Sequence, residues 1–327
     1  MLACALATVV AIGALGDLRT TGDAVDGAAF VSAAGHLRAA ESPTALPQAT
    51  GTPHLVEAFA KIPELWRPVE PEFSLADTQI VSYYGNPYTA AMGILGTADP
   101  DTIASRLELH AALYDRLNGP TNVIPALHMV YAVAQPEPTE DGRYLLYVQD
   151  ADVQRYITLA EERGMLLFLD LQIGRSSVEE ELRRVLPYLR HSRVHLAIDP
   201  EFAVAEGQVP GRHLGSLSAA EINRAQEMLQ ELVREELLSP KLLIVHQFVD
   251  SMVRDGAAIE RFPGVELIID MDGFGPADVK RVIYRRYATQ PYTSHPAIKL
   301  FFEQDPDLMS VAEVLSLEPR PVVIIYQ

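Results

Sequence analysis

The chain has 327 residues, 48% of them hydrophobic, so it can bury a large core without disulfides or a structural metal. Its 44 acidic and 26 basic residues give a formal net charge of −18, which repels nucleic acid phosphates and anionic lipid headgroups. Nucleic acid is therefore excluded as an expected partner. The single cysteine, Cys4, excludes an internal disulfide.

The first 16 residues are small and apolar, which is typical of a signal peptide core or a hydrophobic anchor. They predict a protein that is secreted or attached to the extracellular face of the membrane. The stretch from Met1 to Cys4 also matches a bacterial lipoprotein cleavage box, so lipid attachment at Cys4 is an alternative. Any membrane contact is expected only through this N-terminal segment.

Residues 17–53 are rich in Ala, Gly, Thr and Pro without a sustained period, and they predict a flexible linker. The remaining segment, 54–327, is expected to form one domain. At its start, Trp66, Leu55 and Phe59 are spaced as on a helix that would plug the amino-terminal end of the domain or cover a flank.

From residue 78 onward, one pattern occurs eight times: a short apolar run ends in polar residues and is usually followed by a helix-like stretch. This pattern predicts a (β/α)8 TIM barrel, for which about 250 residues is the usual length. The eight runs are 79–84, 122–133, 165–172, 194–201, 242–247, 265–272, 297–303 and 322–327.

Helix starts are indicated by three serines that are each followed three residues later by glutamate, the spacing of a capping box. These serines are Ser177, Ser218 and Ser310. The apolar stripe from Ile222 to Leu237 predicts an outer barrel helix. Because the last apolar run ends at Gln327, an eighth outer helix is expected to be lacking. Segment 54–73 or a homodimer contact would then cover that flank.

Two connections, 134–149 and 202–217, are longer than strand-to-helix loops usually are. Both are expected at the carboxyl ends of the strands. They are interpreted either as a lid over that face or as plain surface loops.

Carboxylates end three of the apolar runs, where burial is costly unless the charge is paired, hydrated or used. Asp170 ends the third run, Asp199 and Glu201 end the fourth, and Asp270 and Asp272 end the sixth. Because strand residues alternate in direction, each two-residue pair is predicted to share a face. The other candidates for contact with a small-molecule ligand near the strand ends are Tyr83, Tyr84, His128, Gln172, His246, Gln247, Lys299 and Tyr326.

The segments Ile80-Val-Ser-Tyr-Tyr-Gly85 and Asp199-Pro-Glu201 resemble the first and fourth strands of barrel glycoside hydrolases of the chitinase type. The resemblance covers these two strands; Ala197 and Val194 stand where that family has further aspartates. It implies that Glu201 donates a proton to the leaving oxygen. Asp199 would orient Glu201 and hold the substrate group that assists.

A second arrangement pairs Glu201 with Glu303, which lie at the ends of the fourth and seventh runs. Many retaining barrel glycosidases have their acid/base and nucleophile at these positions. The separation of the two carboxyl groups would distinguish a retaining from an inverting reaction. Because the single tryptophan precedes the barrel while tyrosines lie near the strand ends, a short or modified glycan is the expected ligand.

Two other classes of function are open. A metal-dependent hydrolase or isomerase would draw its ligands from His128, Asp170, Asp199, Glu201, His246, Asp270 and Asp272, although no HxH or HExxH motif is present. A non-catalytic surface binding protein is the other. The glycoside hydrolase interpretation requires no cofactor and no metal.

Overall fold

The computed structural model describes residues 74–327, which form a closed barrel of eight parallel strands surrounded by helices. The predicted (β/α)8 TIM barrel is therefore confirmed, and each of the eight apolar runs is a barrel strand. The barrel strands are β1 (Thr78–Gly85), β2 (Asn122–Ala134), β4 (Leu166–Gln172), β5 (Val194–Asp199), β7 (Lys241–Gln247), β9 (Val265–Met271), β10 (His295–Leu300) and β11 (Val323–Tyr326). The barrel closes because β1 pairs in parallel with both β2 and β11.

The outer layer contains six α-helices among the described residues. They are α1 (Pro100–Leu117), α2 (Asp150–Arg163), α3 (Val178–Leu189), α4 (Ala219–Glu236), α5 (Ala277–Ala288) and α6 (Val311–Leu315). The connection between β7 and β9 has only short 3-10 turns, Asp250–Met252 and Gly256–Ala258, and the two-residue strand β8 (Val253–Arg254).

Three of the helices begin at the serine N-caps that were predicted. Ser218 and Ser310 each form a complete capping box with a glutamate, and the hydroxyl of Ser177 accepts a hydrogen bond from the Glu180 amide. The stripe on α4 packs inward as predicted, except that Leu237 lies beyond the helix in a left-handed conformation and is 90% exposed. A left-handed residue ends the helix, so its side chain leaves the buried face.

The core has two parts. Alternate strand residues fill the barrel interior, including Ile80, Phe168 and Ile244. The residues between them point outward and pack against the helices, as Leu167 and Val245 do. This alternation decides which strand-end side chains face the interior.

Both long connections contain short strands among the described residues. Strand β3 (Leu145–Tyr147) pairs antiparallel with the end of β2, and β6 (Leu217–Ser218) pairs with β8. Their proposed role as a lid stays a prediction.

The predicted leader 1–16, the linker 17–53 and the helical segment at 54–73 lie outside the described residues. Within the described part of the chain, no helix has the length and apolar character needed to span a membrane.

Candidate active site

The carboxyl end of the barrel interior holds a concentration of buried ionisable side chains. His128, Asp170, His246 and Asp270 are fully buried, and we call these four residues the interior cluster. Each comes from a different strand, β2, β4, β7 or β9. All four occupy strand positions whose side chains face the barrel interior. Because the strands are near one another in the barrel, these residues come together although they are distant in the sequence.

Asp170 lies between the two histidines of the interior cluster. Its Oδ2 is 3.7 Å from Nε2 of His128 and 3.4 Å from Nε2 of His246. Burial alone would raise the pKa of Asp170, but His246 and His128 outweigh it and lower the pKa. The carboxyl group is therefore an anion near neutral pH.

His246 also contacts carboxylates through its other ring nitrogen. Nδ1 lies 2.8 Å from Oδ2 of Asp270, a hydrogen-bond distance, and 3.4 Å from Oδ2 of Asp272. Burial would lower the pKa of His246, yet Asp170, Asp270 and Asp272 raise it well above its usual value. The surrounding carboxylates therefore favour a positive charge at His246.

Lys299 supplies a second positive charge from β10. Its Nζ is 3.0 Å from Oδ1 of Asp272 and 3.6 Å from the centre of the Tyr84 ring. The ring of Tyr84 meets that of His128 at a centroid distance of 4.9 Å. The Tyr84 ring therefore lies between the Lys299–Asp272 ion pair and His128 of the interior cluster, and contacts both.

Asp199 and Glu201 form a second acidic group beside the interior cluster. Asp199 is 3% exposed, whereas Glu201 is partly exposed on the 3-10 turn Pro200–Phe202 that follows β5. The Glu201 amide donates a 3.1 Å hydrogen bond to Oδ1 of Asp199. Asp199 thus fixes the turn that carries Glu201.

The backbone around Glu201 is fixed from the other side by Gly215. The Gly215 amide donates a 2.6 Å hydrogen bond to the carbonyl of Glu201. A Cβ at Gly215 would lie 2.5 Å from the Pro200 carbonyl oxygen and from the Ala203 amide nitrogen. The long loop after β5 can approach the acid this closely only with glycine there.

Both members of the pair hold protons more tightly than usual. Burial, and after it the charges of Asp199 and Asp272, raise the pKa of Glu201 to about 8. Burial, followed by the charges of Asp170 and Asp272, raises the pKa of Asp199 to about 7. Near neutral pH the pair therefore holds protons that exposed carboxyl groups would have released, and Glu201 holds its proton more tightly than Asp199 does.

Two predicted ligand residues, Gln172 and Gln247, make hydrogen bonds within the protein. Oε1 of Gln172 accepts a 2.8 Å hydrogen bond from the Ala134 amide at the end of β2. Oε1 of Gln247 accepts a 3.0 Å hydrogen bond from the Tyr292 hydroxyl. Both amides connect the ends of strands to adjacent loops, and their contact with a ligand stays a prediction.

Two tyrosines that were predicted to contact a ligand, Tyr83 and Tyr326, lie outside the barrel interior, and their contact with a ligand stays a prediction. Both point outward to α1, where the Tyr326 hydroxyl is 2.7 Å from that of Tyr114 and the Tyr83 hydroxyl is 3.3 Å from Nδ1 of His110. They occupy the opposite phase of the alternation from Tyr84. Tyr83 and Tyr326 therefore belong to the layer between strands and helices.

Glu303 lies on an exposed turn after β10. Its predicted partnership with Glu201 rests on its place in the chain alone and stays a prediction.

Four phenylalanines were not predicted for this face. Each lies within three residues of the carboxyl end of one of four consecutive barrel strands, β5, β7, β9 and β10, and each is partly or well exposed. They are Phe202, Phe248, Phe274 and Phe302. Their position at the end of an apolar run or within two residues after it was the available sequence signal.

The interior cluster also contains polar atoms without hydrogen bonds. Among the described residues, neither ring nitrogen of His128 and neither oxygen of Asp170 makes one, and the same holds for Nε2 of His246. Buried polar atoms in this state cost free energy, typically about 1–3 kcal/mol each. Within the part of the chain that the structure describes, two sets of three residues bring potential ligand atoms within 4.8 Å: His128, Asp170 and His246, and His246, Asp270 and Asp272.

The sequence matches no protein-family model and no curated protein. Solved structures with a similar arrangement include a chitinase from Pseudoalteromonas aurantia, with 12% identity, a TM-score of 0.34, and coverage of 76% of this chain and 93% of that one. Oxaloacetate acetylhydrolase has 11% identity and a TM-score of 0.32, with 76% and 67% covered. Pyruvate kinase from Pyrobaculum aerophilum has 12% identity and a TM-score of 0.26, with 76% and 90% covered. At such values these similarities carry no argument about the reaction.

Proposed function

We propose that the protein is a glycoside hydrolase that acts on a short or modified glycan, with Glu201 as the proton donor. The observation that carries this proposal is the Asp199–Glu201 pair at the end of β5. An acid that protonates a leaving oxygen must hold its proton near neutral pH and must reach the substrate. Glu201, with a pKa of about 8 and partial exposure, meets both requirements.

Asp199 has the complementary role. It is buried behind Glu201, holds the Glu201 amide, and adds the charge that raises the pKa of its neighbour. As Glu201 donates its proton to the leaving oxygen, the glycosidic C–O bond breaks. Water then adds to the anomeric carbon and returns a proton to the Glu201 carboxylate.

The surroundings of the pair suit a polar ligand with an apolar face. Tyr84 and Lys299 line the same end of the interior, where they offer a ring and a cation close to developing charge. The four phenylalanines at the strand ends supply aromatic surface on which a sugar ring can stack. These features support a small number of sugar units.

The test is the Glu201→Gln substitution with a panel of short oligosaccharides, including an N-acetylhexosamine disaccharide, because a sugar alcohol leaves only with a proton whereas an activated aryl group leaves without one. Turnover should fall about 100- to 10,000-fold, the usual contribution of general acid catalysis, because glutamine has no acidic proton to donate. The thermal unfolding midpoint should not fall, because glutamine keeps the shape of the protonated acid without its buried charge. Glu206→Gln is the matched control, because Glu206 is an exposed glutamate on the same loop. Full activity of Glu201→Gln would remove Glu201 from the mechanism.

A further inference from the structure

We propose that His128, Asp170 and His246 bind a divalent transition-metal ion of the Zn²⁺ type. The ligand atoms would be Nε2 of both histidines and a carboxylate oxygen of Asp170. This inference does not depend on the proposed glycosidase activity. It rests on the unpaired atoms of the interior cluster and on the distances between them.

The spacing of the three groups is that of ligands around an ion. The Asp170 oxygen is 3.4 Å from one Nε2 and 3.7 Å from the other, longer than a direct hydrogen bond. With metal–nitrogen and metal–oxygen bonds of about 2.0–2.1 Å, neighbouring ligand atoms of a tetrahedral ion lie about 3.3–3.4 Å apart. A small adjustment would place all three atoms around one ion.

The donor set also fits. Two imidazoles and one carboxylate are the ligands of many zinc sites that keep a fourth position for water or substrate. An ion here would bind Nε2 of His128, Nε2 of His246 and a carboxylate oxygen of Asp170. Among the described residues, none of these atoms makes a hydrogen bond. A protonated His246, in contrast, leaves both nitrogens of His128 unpaired.

Asp270 orients one of the ligands. When Nδ1 of His246 donates its proton to Asp270 at 2.8 Å, Nε2 is left with a lone pair on the side of Asp170. A carboxylate that fixes a ligating histidine in this way is a regular feature of metal sites. Asp270 thus has a positioning role.

The alternative set of His246, Asp270 and Asp272 is less suitable. Nδ1 of His246 and Asp270 already form a hydrogen bond at 2.8 Å, and Asp272 is paired with Lys299 at 3.0 Å. These groups have partners without an ion. We therefore assign the site to the Nε2 side of His246.

The experiment measures the metal bound to the full chain. The protein is unfolded with a chelator, refolded with Zn²⁺ or, separately, Co²⁺, and analysed by mass spectrometry of the metal and by thermal unfolding. The wild type should bind metal stoichiometrically and unfold at a higher temperature with it. His128→Asn and Asp170→Asn should lose both effects.

His195→Asn is the matched control. His195 is also a buried interior histidine with an unpaired Nε2, but it belongs to neither of the two sets of potential ligands found among the described residues. It should bind metal as the wild type does. Asp270→Asn should weaken binding about 10- to 100-fold, as expected for loss of an orienting carboxylate.

Failure of the wild type to bind either ion, or undiminished binding by Asp170→Asn, would overturn the proposal. Glu201→Gln should retain the metal. Loss of turnover in that variant with normal metal content would separate the glycosidase proposal from this one.

Discussion

Two buried groups of charges lie close together at the carboxyl end of the barrel, and they differ in how completely they are paired. The first is the interior cluster. The second is a clamp formed by Lys280 on α5 and Asp305 after β10. Burial is nearly complete in both, so burial alone does not tell a structural pair from a functional group.

The clamp has a partner for every strong donor. Nζ of Lys280 donates to the Gly273 and Lys299 carbonyls at 2.7 and 2.8 Å and lies 2.9 Å from Oδ2 of Asp305. Asp305 also accepts hydrogen bonds from two backbone amides, of Gly275 and Phe301. In the interior cluster, polar atoms of His128, Asp170 and His246 lack such bonds. Unpaired buried atoms therefore mark the site more sharply than charge does.

The largest effect on stability is expected in the clamp. Lys280→Met should lower the free energy of unfolding by about 3–5 kcal/mol, because it leaves the carboxylate of Asp305 buried without its cation. Urea unfolding measures the change. The control is Arg281→Met, which removes the neighbouring, partly exposed ion pair with Glu313 and should cost about 1 kcal/mol or less. Equal losses in both variants would contradict the distinction between clamp and surface.

A change of pH tests the acidic pair. The pKa of Glu201 is raised from 4.5 to about 8 on folding, so the folded chain keeps a proton that the unfolded chain releases in between. The stability that this contributes is complete below about pH 4.5 and is lost as the pH rises through about 8. The free energy of unfolding of the wild type, measured relative to Glu201→Gln, should therefore decrease across this window.

The measurement is urea unfolding of both proteins at several pH values within that window. Glu206→Gln serves again as the control and should follow the wild type. Parallel curves for the wild type and Glu201→Gln would show that the proton is not held in the folded protein.

The smallest effect is expected inside the interior cluster. In the presence of a chelator, His128→Leu should lower the free energy of unfolding by no more than about 1 kcal/mol, or should increase it, because leucine has no unpaired polar atoms to bury. The lost imidazole had two ring nitrogens without hydrogen bonds among the described residues. His195→Leu is the comparison, since Nδ1 of His195 accepts a 3.2 Å hydrogen bond from the Leu242 amide. It should cost about 1–3 kcal/mol. A loss of that size in His128→Leu would place His128 among the structural residues.

Much of the architecture could be predicted from the sequence because the signals are local. Apolar runs gave the eight strands, but β5 ends at Asp199, so the alternation that predicted a common face for Asp199 and Glu201 does not extend to Glu201. The phase of the alternation was not available, since parallel barrel strands are apolar on both faces. Tyr83 and Tyr84 are adjacent and chemically alike, and only the fold assigns one to the helices and the other to the interior.

Other features depend on how residues of different strands are placed relative to one another. The sequence proposed His128, Asp170 and His246 as separate candidates, but their distances follow from the stagger of three strands around the barrel. Glu303 shows the limit of the same reasoning, because a place after a strand does not determine whether a side chain turns inward. The absence of an α-helix between β7 and β9 was likewise not predicted, although that connection, 248–264, is the shortest between consecutive barrel strands.

That helix-free connection has a consequence for access. It is held by short turns and by side-chain bonds from Asn223 and Gln226 of α4 to the carbonyls of Ala258 and Glu260. A segment of this kind opens at lower cost than a packed helix. Because it joins the strands that carry His246 and Asp270, local opening of this connection would give an ion from solvent a route to the interior cluster.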